Sequence, residues 1–478
     1  MHPSVTLTMV DGVRIVVPDS LESITPYVLI EQQDWFEDEI KFLRRLLQAG
    51  QKVIDVGANY GVYTLSMAWT VGPGGTVWAF EPASSTAALL AQGIAANDFA
   101  QIVLERSALS STCGTARLSL NDHSELNALM RSEHPANASE AVSLTTLDAC
   151  LQRYGWQDIA FMKIDAEGEE ANILKGGARF FAELSPLIQY EIKVGEELNL
   201  DLARDFAALG YASYRLVPGL DLLVPFDTES VPDGYLLNLF CCKNDRAEQL
   251  AIQGFLLESE SDPANRARER YRDISATDGS SSAYAWRNTI AKLPYGVQLA
   301  GLWERTMAAG NRAAVDEALS YYAISRGSGS TSAERFGALE ASFKLFKSLC
   351  ESQPAHLRLA SLARVARDYG ARSVAVSALM QLGEIIFKHK QVDLSEPFLA
   401  PVERFDSIRS GDDIANRVAA AVLEGIEQLG SFSSFYTGVS ARRRLETIAS
   451  LGFGSEEMGR RSRLLERRFG LRASGSPG

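Results

Sequence analysis

A short glycine-containing segment, Val53 to Gly61 (VIDVGANYG), constrains the fold more than any other part of the sequence. Its first residues are apolar and typical of a buried strand, with one acid, Asp55, near the end. Gly57 and Gly61 then predict a turn, and apolar residues at helical spacing follow from Val62. Because glycine has no Cβ and a helix start has unpaired N–H groups, such a unit suits a nucleotide-type ligand.

The spacing of this turn separates two classes of cofactor site. A dinucleotide site needs G-x-G-x-x-G, whereas this chain has Gly57-Ala58-Asn59-Tyr60-Gly61. A second strand pattern ends at Glu81, the position at which doubly wound folds bind the hydroxyls of a ribose. An acid there also suits NAD, so it is the turn that argues against an NAD-dependent oxidoreductase.

Four segments in order resemble the motifs of one enzyme family. They are VIDVGANYGVYTL at Val53 to Leu65, FEP at Phe80 to Pro82, SLTTLD at Ser143 to Asp148 and KIDAEGEE at Lys163 to Glu170. In this order and spacing the chain resembles the FkbM-family S-adenosylmethionine-dependent methyltransferases over about residues 5–243. The resemblance implies a class I methyltransferase fold, with S-adenosylmethionine as methyl donor and S-adenosylhomocysteine as product.

The order of the patterns predicts an α/β domain followed by an all-α domain. Seven strand patterns between residues 53 and 242 predict a seven-stranded Rossmann-like sheet, and alternation on either side of Asp11-Gly12 predicts a hairpin before it. We expect a methyltransferase domain over residues 1–245, a linker with a helical segment over 246–292, and a helical bundle or repeat-like domain over 293–478.

Charge and cysteine content exclude some classes of partner and compartment. The formal net charge of −13 argues against a nucleic-acid partner, because phosphate binding depends on clustered Lys and Arg. Five cysteines without metal-ligand spacing predict free thiols, and neither a secretory signal nor a transmembrane segment is expected. These features predict a cytoplasmic protein.

The acids at the end of the fourth predicted strand are the main catalytic candidates. Methyl transfer to a hydroxyl requires an aligned acceptor and the removal of one proton. Asp165 and Glu167 follow the strand, and Lys163 is two residues before Asp165, on the same side of it. We predict that Asp165 lines the junction of cofactor and acceptor and that Glu167 is an acceptor ligand or base. The alternative is that these acids cap the next helix.

Two further residues extend the set of catalytic candidates. Glu191 ends the neighbouring strand and could share a proton or a divalent cation with Asp165. No complete ligand set is visible, so we do not favour a metal. His123 lies on the polar loop 121–127 and is either a general base or an exposed loop histidine.

The cofactor-binding candidates lie mostly in the glycine turn and at the two strand ends beside it. Asp55 and Gly57 are predicted to face the methionine moiety, and Glu81 to bind the ribose. By the resemblance, Ser107 lies beside the adenine. The full predicted set is Asp55, Gly57, Ala58, Asn59, Gly61, Glu81, Ser107 and Asp165.

The resemblance implies an O-methyltransferase that acts on a hydroxyl of a sugar or of a natural product. The added helical domain is larger than a small-molecule enzyme needs, which favours a carbohydrate or glycan acceptor. That domain could also bind a protein partner or form a homo-oligomer. The alternative from another class is a scaffold protein of glycan assembly that binds the cofactor without turnover.

Overall fold

The computed structural model describes residues 3–121, 127–129, 138–194, 197–198, 200–258, 262–277, 286–309, 313–353, 355–407 and 413–470. Its strands are β1 Ser4–Thr8, β2 Arg14–Pro18, β3 Lys52–Val56, β4 Thr76–Phe80, β5 Ile102–Glu105, β6 Ser107–Leu109, β7 Gly114–Ser119, β8 Ser139–Thr145, β9 Phe161–Ile164, β10 Leu187–Glu191, β11 Lys193–Val194, β12 Glu197–Leu198, β13 Ala212–Val217, β14 Leu222–Pro225 and β15 Asn238–Cys242.

The helices begin before the main sheet and dominate the second half of the chain. They are α1 Ile24–Gln32, α2 Asp38–Leu46, α3 Val62–Val71, α4 Ser84–Ala96, α5 Leu147–Tyr154, α6 Glu170–Lys175, α7 Ala178–Glu183, α8 Asp201–Ala208, α9 Asn244–Ile252, α10 Pro263–Thr277, α11 Pro294–Ala309, α12 Ala313–Arg326, α13 Ser332–Ser352, α14 His356–Tyr369, α15 Arg372–His389, α16 Ile414–Gly430, α17 Ser434–Thr437, α18 Val439–Ser450 and α19 Glu456–Phe469. Short 3₁₀ helices span Ile290–Lys292 and Glu403–Asp406.

The main sheet has the strand order β14-β13-β15-β10-β9-β3-β4-β5. Strands β10, β9, β3, β4 and β5 run parallel, whereas β15 is antiparallel to β10 and β13 is antiparallel to β15. In register, Val56 pairs with both Phe80 and Ile164, so three of the parallel strands end together. The residues that follow these strands therefore meet at one edge of the sheet, where open α/β folds bind ligands.

The predicted α/β fold is confirmed, but the predicted number of strands is wrong, because the main sheet has eight. The additional strand is β14, which lies in the connection between β13 and β15 and has no clear strand pattern in the sequence. Asp221 takes a left-handed backbone conformation, with φ of 50°, directly before the buried run Leu222 to Val224. That turn lets the short run Leu222 to Val224 pair as an edge strand. From the sequence alone, three apolar residues predict only a loop.

The predicted hairpin is present, and the chain contains a second antiparallel strand pair. Strands β1 and β2 pair antiparallel, with Gly12 at φ of 84° in their connection. Strands β7 and β8 also pair antiparallel, and β6 joins β8 in parallel to form a small sheet. Helix α1 was not predicted, because its run ITPYVLIEQ lacks a clear polar face.

The chain divides into two compact units. The first comprises residues 1–216, 225–232 and 236–253, and the second comprises 217–224, 233–235 and 254–478. The core of the first unit includes sheet residues such as Ile54, Phe80 and Ile188. No helix within the described ranges combines the length and the apolar character that a membrane span requires.

From residue 286 onward, the described residues of the second unit form helices and the loops between them, with no β-strand. Its core contains Trp286 and Trp303, whose rings meet edge to face, and Phe398, whose ring stacks on Tyr295. The indole of Trp303 donates to the carbonyl of Leu394 at 2.9 Å. Aromatic packing of this kind, with the polar indole group satisfied, gives the second unit a core of its own.

Candidate active site

The glycine turn after β3 is fixed to the neighbouring strand β4. The backbone N–H groups of Gly57 and Ala58 both donate to the carbonyl of Phe80, at 3.1 and 3.0 Å. Gly57 has φ of 77°, and a Cβ added there would lie 1.7 Å from the backbone oxygen of Asp165. Only glycine fits this position, so the turn holds the ends of β3, β4 and β9 close together.

Glu81 connects the turn to the segment after β4. Its Oε2 accepts from the backbone N–H of Asn59 at 2.9 Å, and its Oε1 accepts from that of Ala83 at 2.8 Å. Burial raises the pKa of Glu81 to about 7. A carboxylate has about four lone-pair positions, so each oxygen keeps acceptor capacity toward the cavity that it lines.

Asp55 and Ser107 present buried polar atoms to the same cavity. Asp55 Oδ2 accepts from the hydroxyl of Thr64 at 2.5 Å, and burial raises the pKa of Asp55. Among the residues that the structure describes, Asp55 Oδ1 and Ser107 Oγ have no hydrogen-bond partner. Buried polar atoms are normally satisfied, so these two atoms mark places at which a polar ligand fits.

Lys163 and Asp165 form an ion pair at the end of β9, in which Lys163 is buried and the side chain of Asp165 is 36% exposed. Lys163 Nζ lies 2.6 Å from Asp165 Oδ2 and 5.0 Å from the ring centroid of Tyr63. Burial acts to lower the pKa of Lys163, but the carboxylates of Asp165 and Asp55 outweigh it, and the pKa is raised. Lys163 is therefore a cation that engages Asp165.

Glu191 and Glu167 lie beside Asp165 at the ends of β10 and β9. One carboxylate oxygen from each of the three acids lies within 4.8 Å of the others. Burial, followed by the charges of Asp165 and Glu167, raises the pKa of Glu191 to about 9. Three carboxyl groups this close cannot all ionise easily, so Glu191 holds a proton at neutral pH.

A fourth carboxyl group comes from a part of the chain that the sequence did not assign to the site. Glu37, directly before α2, lines the cavity and accepts a hydrogen bond from the hydroxyl of Tyr63. Gln189 of β10 in turn donates to the oxygen of Tyr63 at 3.3 Å. The available sequence signal is the pair of aromatic residues Trp35 and Phe36 among acids, which is typical of either a charged helix start or a lid.

The cavity at this sheet edge has a volume of about 140 Å³. Most of the predicted site residues line it: Asp55, Gly57, Ala58, Asn59, Glu81, Ser107, Lys163, Asp165 and Glu167. Gly61 does not, because it packs beneath the turn, where an added Cβ would lie 2.4 Å from Leu90. Glu191 belongs to the acidic cluster, and His123 lies outside the described residues. The roles of all these residues stay predictions.

Comparison with known proteins gives the class of this domain. Residues 55–212 match the family model of the methyltransferase FkbM domain. Residues 55–212 therefore carry an FkbM methyltransferase domain, which confirms the predicted family for this part of the chain. The match begins at Asp55 and includes Glu81, Asp165 and Glu191.

Solved structures of methyltransferases are also similar to this chain. An S-adenosylmethionine-dependent O-methyltransferase from Thermotoga maritima is 12% identical with a TM-score of 0.25, covering 50% of this chain and 78% of its own. An O-methyltransferase from Bacillus cereus in complex with S-adenosylhomocysteine is 14% identical with a TM-score of 0.26, covering 43% and 80%. An rRNA methylase from Streptococcus thermophilus is 12% identical with a TM-score of 0.25, covering 43% and 93%. No curated protein matches the sequence.

Proposed function

We propose that this protein transfers the methyl group of S-adenosylmethionine to a hydroxyl group of a carbohydrate. The observation that carries this proposal is the set of aromatic and acidic residues in the cavity. Trp35 lines it together with Glu37, Asp165 and Glu167. Carboxylates accept hydrogen bonds from hydroxyl groups, and an aromatic face covers the apolar face of a sugar ring.

We propose that the methyl donor binds in the part of the cavity that Asp55, Glu81 and Ser107 line. Glu81 would bind the ribose hydroxyls, Asp55 would face the methionine moiety, and Ser107 would contact the adenine. The partnerless Asp55 Oδ1 and Ser107 Oγ support this fit, because each needs a polar group from a ligand or water. When bound, S-adenosylmethionine supplies a methyl group that its sulfonium centre activates.

The chain's own residues align the acceptor and handle its proton. Hydroxyl groups have pKa values far above neutral, so transfer requires a nearby base. Carboxyl groups surround the acceptor side, and the cation of Lys163 holds Asp165 in position at 2.6 Å. The helical second unit is proposed to bind a longer acceptor or a protein partner.

A transfer experiment tests the proposal. The full chain is incubated with radiolabelled S-adenosylmethionine and a panel of methyl glycosides, amino sugars, short oligosaccharides and one phenolic natural product. We expect label on a glycoside hydroxyl. Label on the phenol alone would identify a natural-product acceptor, and tight binding of S-adenosylhomocysteine without any transfer would identify a scaffold protein.

A further inference from the structure

Glu37 reaches the cavity from a segment that precedes the whole parallel sheet. It lies directly before α2, at a backbone ψ of 138°, so the chain is extended there. Its neighbour Trp35 lines the same cavity. The segment therefore contributes an aromatic ring and a carboxyl group together, two residues apart.

The contacts of Glu37 place it on the acceptor side of the site. Its carboxylate accepts from the hydroxyl of Tyr63, the ring of which lies under Lys163 Nζ at 5.0 Å. Tyr63 is also joined to Gln189 on β10. The ribose site predicted at Glu81 is on β4, on the other side of β3. Glu37 is thus held over β9 and β10, away from the ribose.

Glu37 differs from Asp165 and Glu191 in how it is held. Asp165 Oδ2 is already engaged by the ammonium group of Lys163, which lies 2.6 Å away. One oxygen of Glu191 lies within 4.8 Å of carboxylate oxygens of Asp165 and Glu167. Glu37 instead accepts hydrogen bonds from neutral donors, the Tyr63 hydroxyl and the Trp35 side chain.

We infer that Glu37 is the base that takes the proton of the acceptor hydroxyl, an inference that rests on the proposed function. The acceptor oxygen forms a bond to the methyl carbon, the carbon–sulfur bond breaks, and its electron pair goes to sulfur, which becomes neutral. The hydroxyl proton goes to Glu37 and then to water. Tyr63 is a positioning residue, because its hydroxyl fixes the orientation of the carboxylate.

Several titratable groups face Glu37 and affect its pKa. Tyr63 of α3 contacts it, and Lys163 and Asp165 come from β9 and the turn after it. Glu39 is on its own segment and Glu191 on β10. Burial raises the pKa of Glu37, and Lys163 opposes that rise. The carboxylate form therefore increases with pH, and the rate of transfer should increase with it.

The test compares Glu37→Gln with Asp38→Asn in the full chain. Glutamine keeps an oxygen that accepts from Tyr63 but removes the base, whereas Asp38 is a neighbouring acid that forms an exposed ion pair with Lys41. The methylated member of the glycoside panel is the acceptor. We expect Glu37→Gln to lower kcat by about 10²-fold or more and to abolish the rise of kcat with pH. Asp38→Asn should match the native chain, and Glu37→Asp should recover part of the rate.

Calorimetry with S-adenosylhomocysteine supplies a readout besides activity. We expect the same Kd for the native chain and for Glu37→Gln, which also shows that the variant is folded. The inference is wrong, and the proposed function stands, if Glu37→Gln keeps the native rise of kcat with pH. The same holds if the substitution weakens the binding of S-adenosylhomocysteine by as large a factor as it lowers kcat. If the native chain transfers to no member of the panel, both fail.

Discussion

At the residue scale, Glu81 joins two roles. Its oxygens accept from the N–H groups of Asn59 and Ala83, which fixes the turn against the segment after β4. The same oxygens line the cavity in which the donor is proposed to bind. A change at this residue should therefore affect affinity more directly than it affects the fold.

We expect Glu81→Gln to weaken binding of S-adenosylhomocysteine by roughly tenfold to hundredfold. A hydrogen bond to a charged group contributes about 1.5–3 kcal/mol, and glutamine keeps one acceptor oxygen but loses the charge. Calorimetry measures the Kd. Asp98→Asn, an exposed acid after α4, is the matched control and should leave the Kd unchanged. An unchanged Kd for Glu81→Gln in a folded protein would place the ribose elsewhere.

The pKa of Glu81 gives the affinity a pH dependence. Burial raises this pKa to about 7, so the carboxylate fraction increases through neutral pH. Ribose hydroxyls donate to the carboxylate, and its fraction increases about tenfold between pH 6 and pH 8 for such a pKa. We expect the affinity for S-adenosylhomocysteine to increase by up to about tenfold over this interval. In Glu81→Gln the increase should be absent, and a native chain with a flat profile would contradict the assignment.

At the scale of elements, the turn between β3 and α3 determines the shape of the site. The two N–H groups that bond to Phe80, the left-handed φ of Gly57 and its approach to Asp165 are properties of backbone, not of side chains. The conformation of the turn therefore requires glycine at position 57.

Gly57→Ala should destabilise the first unit more than an ordinary glycine substitution does. The left-handed backbone alone costs about 1–2 kcal/mol for a residue with a Cβ, and the clash with the Asp165 carbonyl adds about 1–3 kcal/mol. Gly155→Ala is the control, because Gly155 has φ of 59° and no described atom within 4 Å of an added Cβ. Urea unfolding of both variants separates the cost of the left-handed backbone from the cost of the clash. Equal losses in the two variants would show that the clash relaxes.

Local sequence patterns predict the elements that carry most of the site. They do not predict residues whose position depends on the path of the chain between elements. The strand, turn and helix around Gly57 follow from apolar periodicity and glycine positions, and Glu81 and Asp165 follow from strand ends. Glu37 could not be assigned in this way, because its place depends on how the segment before β3 folds back over the sheet. Strand β14 was missed since three apolar residues are too few for a pattern.

At the scale of the whole molecule, the second unit depends on buried ion pairs as well as on apolar packing. Arg358 and Glu396 form a two-pronged pair at 2.8 and 2.9 Å, and both side chains are 6% exposed. Arg364 pairs with Asp406 at 3.0 Å while 4% exposed. Such pairs fix the relative positions of their helices and loops, but each member depends on the other.

Arg358→Met should lower the stability of the second unit by about 3–5 kcal/mol, because it removes the cation that is paired with the buried carboxylate of Glu396. Lys344→Met is the control. Lys344 is 66% exposed in its pair with Glu340, and the loss of an exposed pair costs less than about 1 kcal/mol. Urea unfolding, monitored by hydrogen exchange, measures the free energy of unfolding of both variants. We expect the Kd for S-adenosylhomocysteine to be unchanged in native buffer, and equal losses in the two variants would argue against the buried pair.

The division of the chain into units has a consequence for its history. Residues 217–224 and 233–235 belong to the second unit, while 225–232 and 236–253 belong to the first. The polypeptide thus passes from one unit to the other repeatedly before the helical region begins. A gene fusion at a single junction would not by itself produce this interleaving, and a cut at any single position divides at least one of the two units.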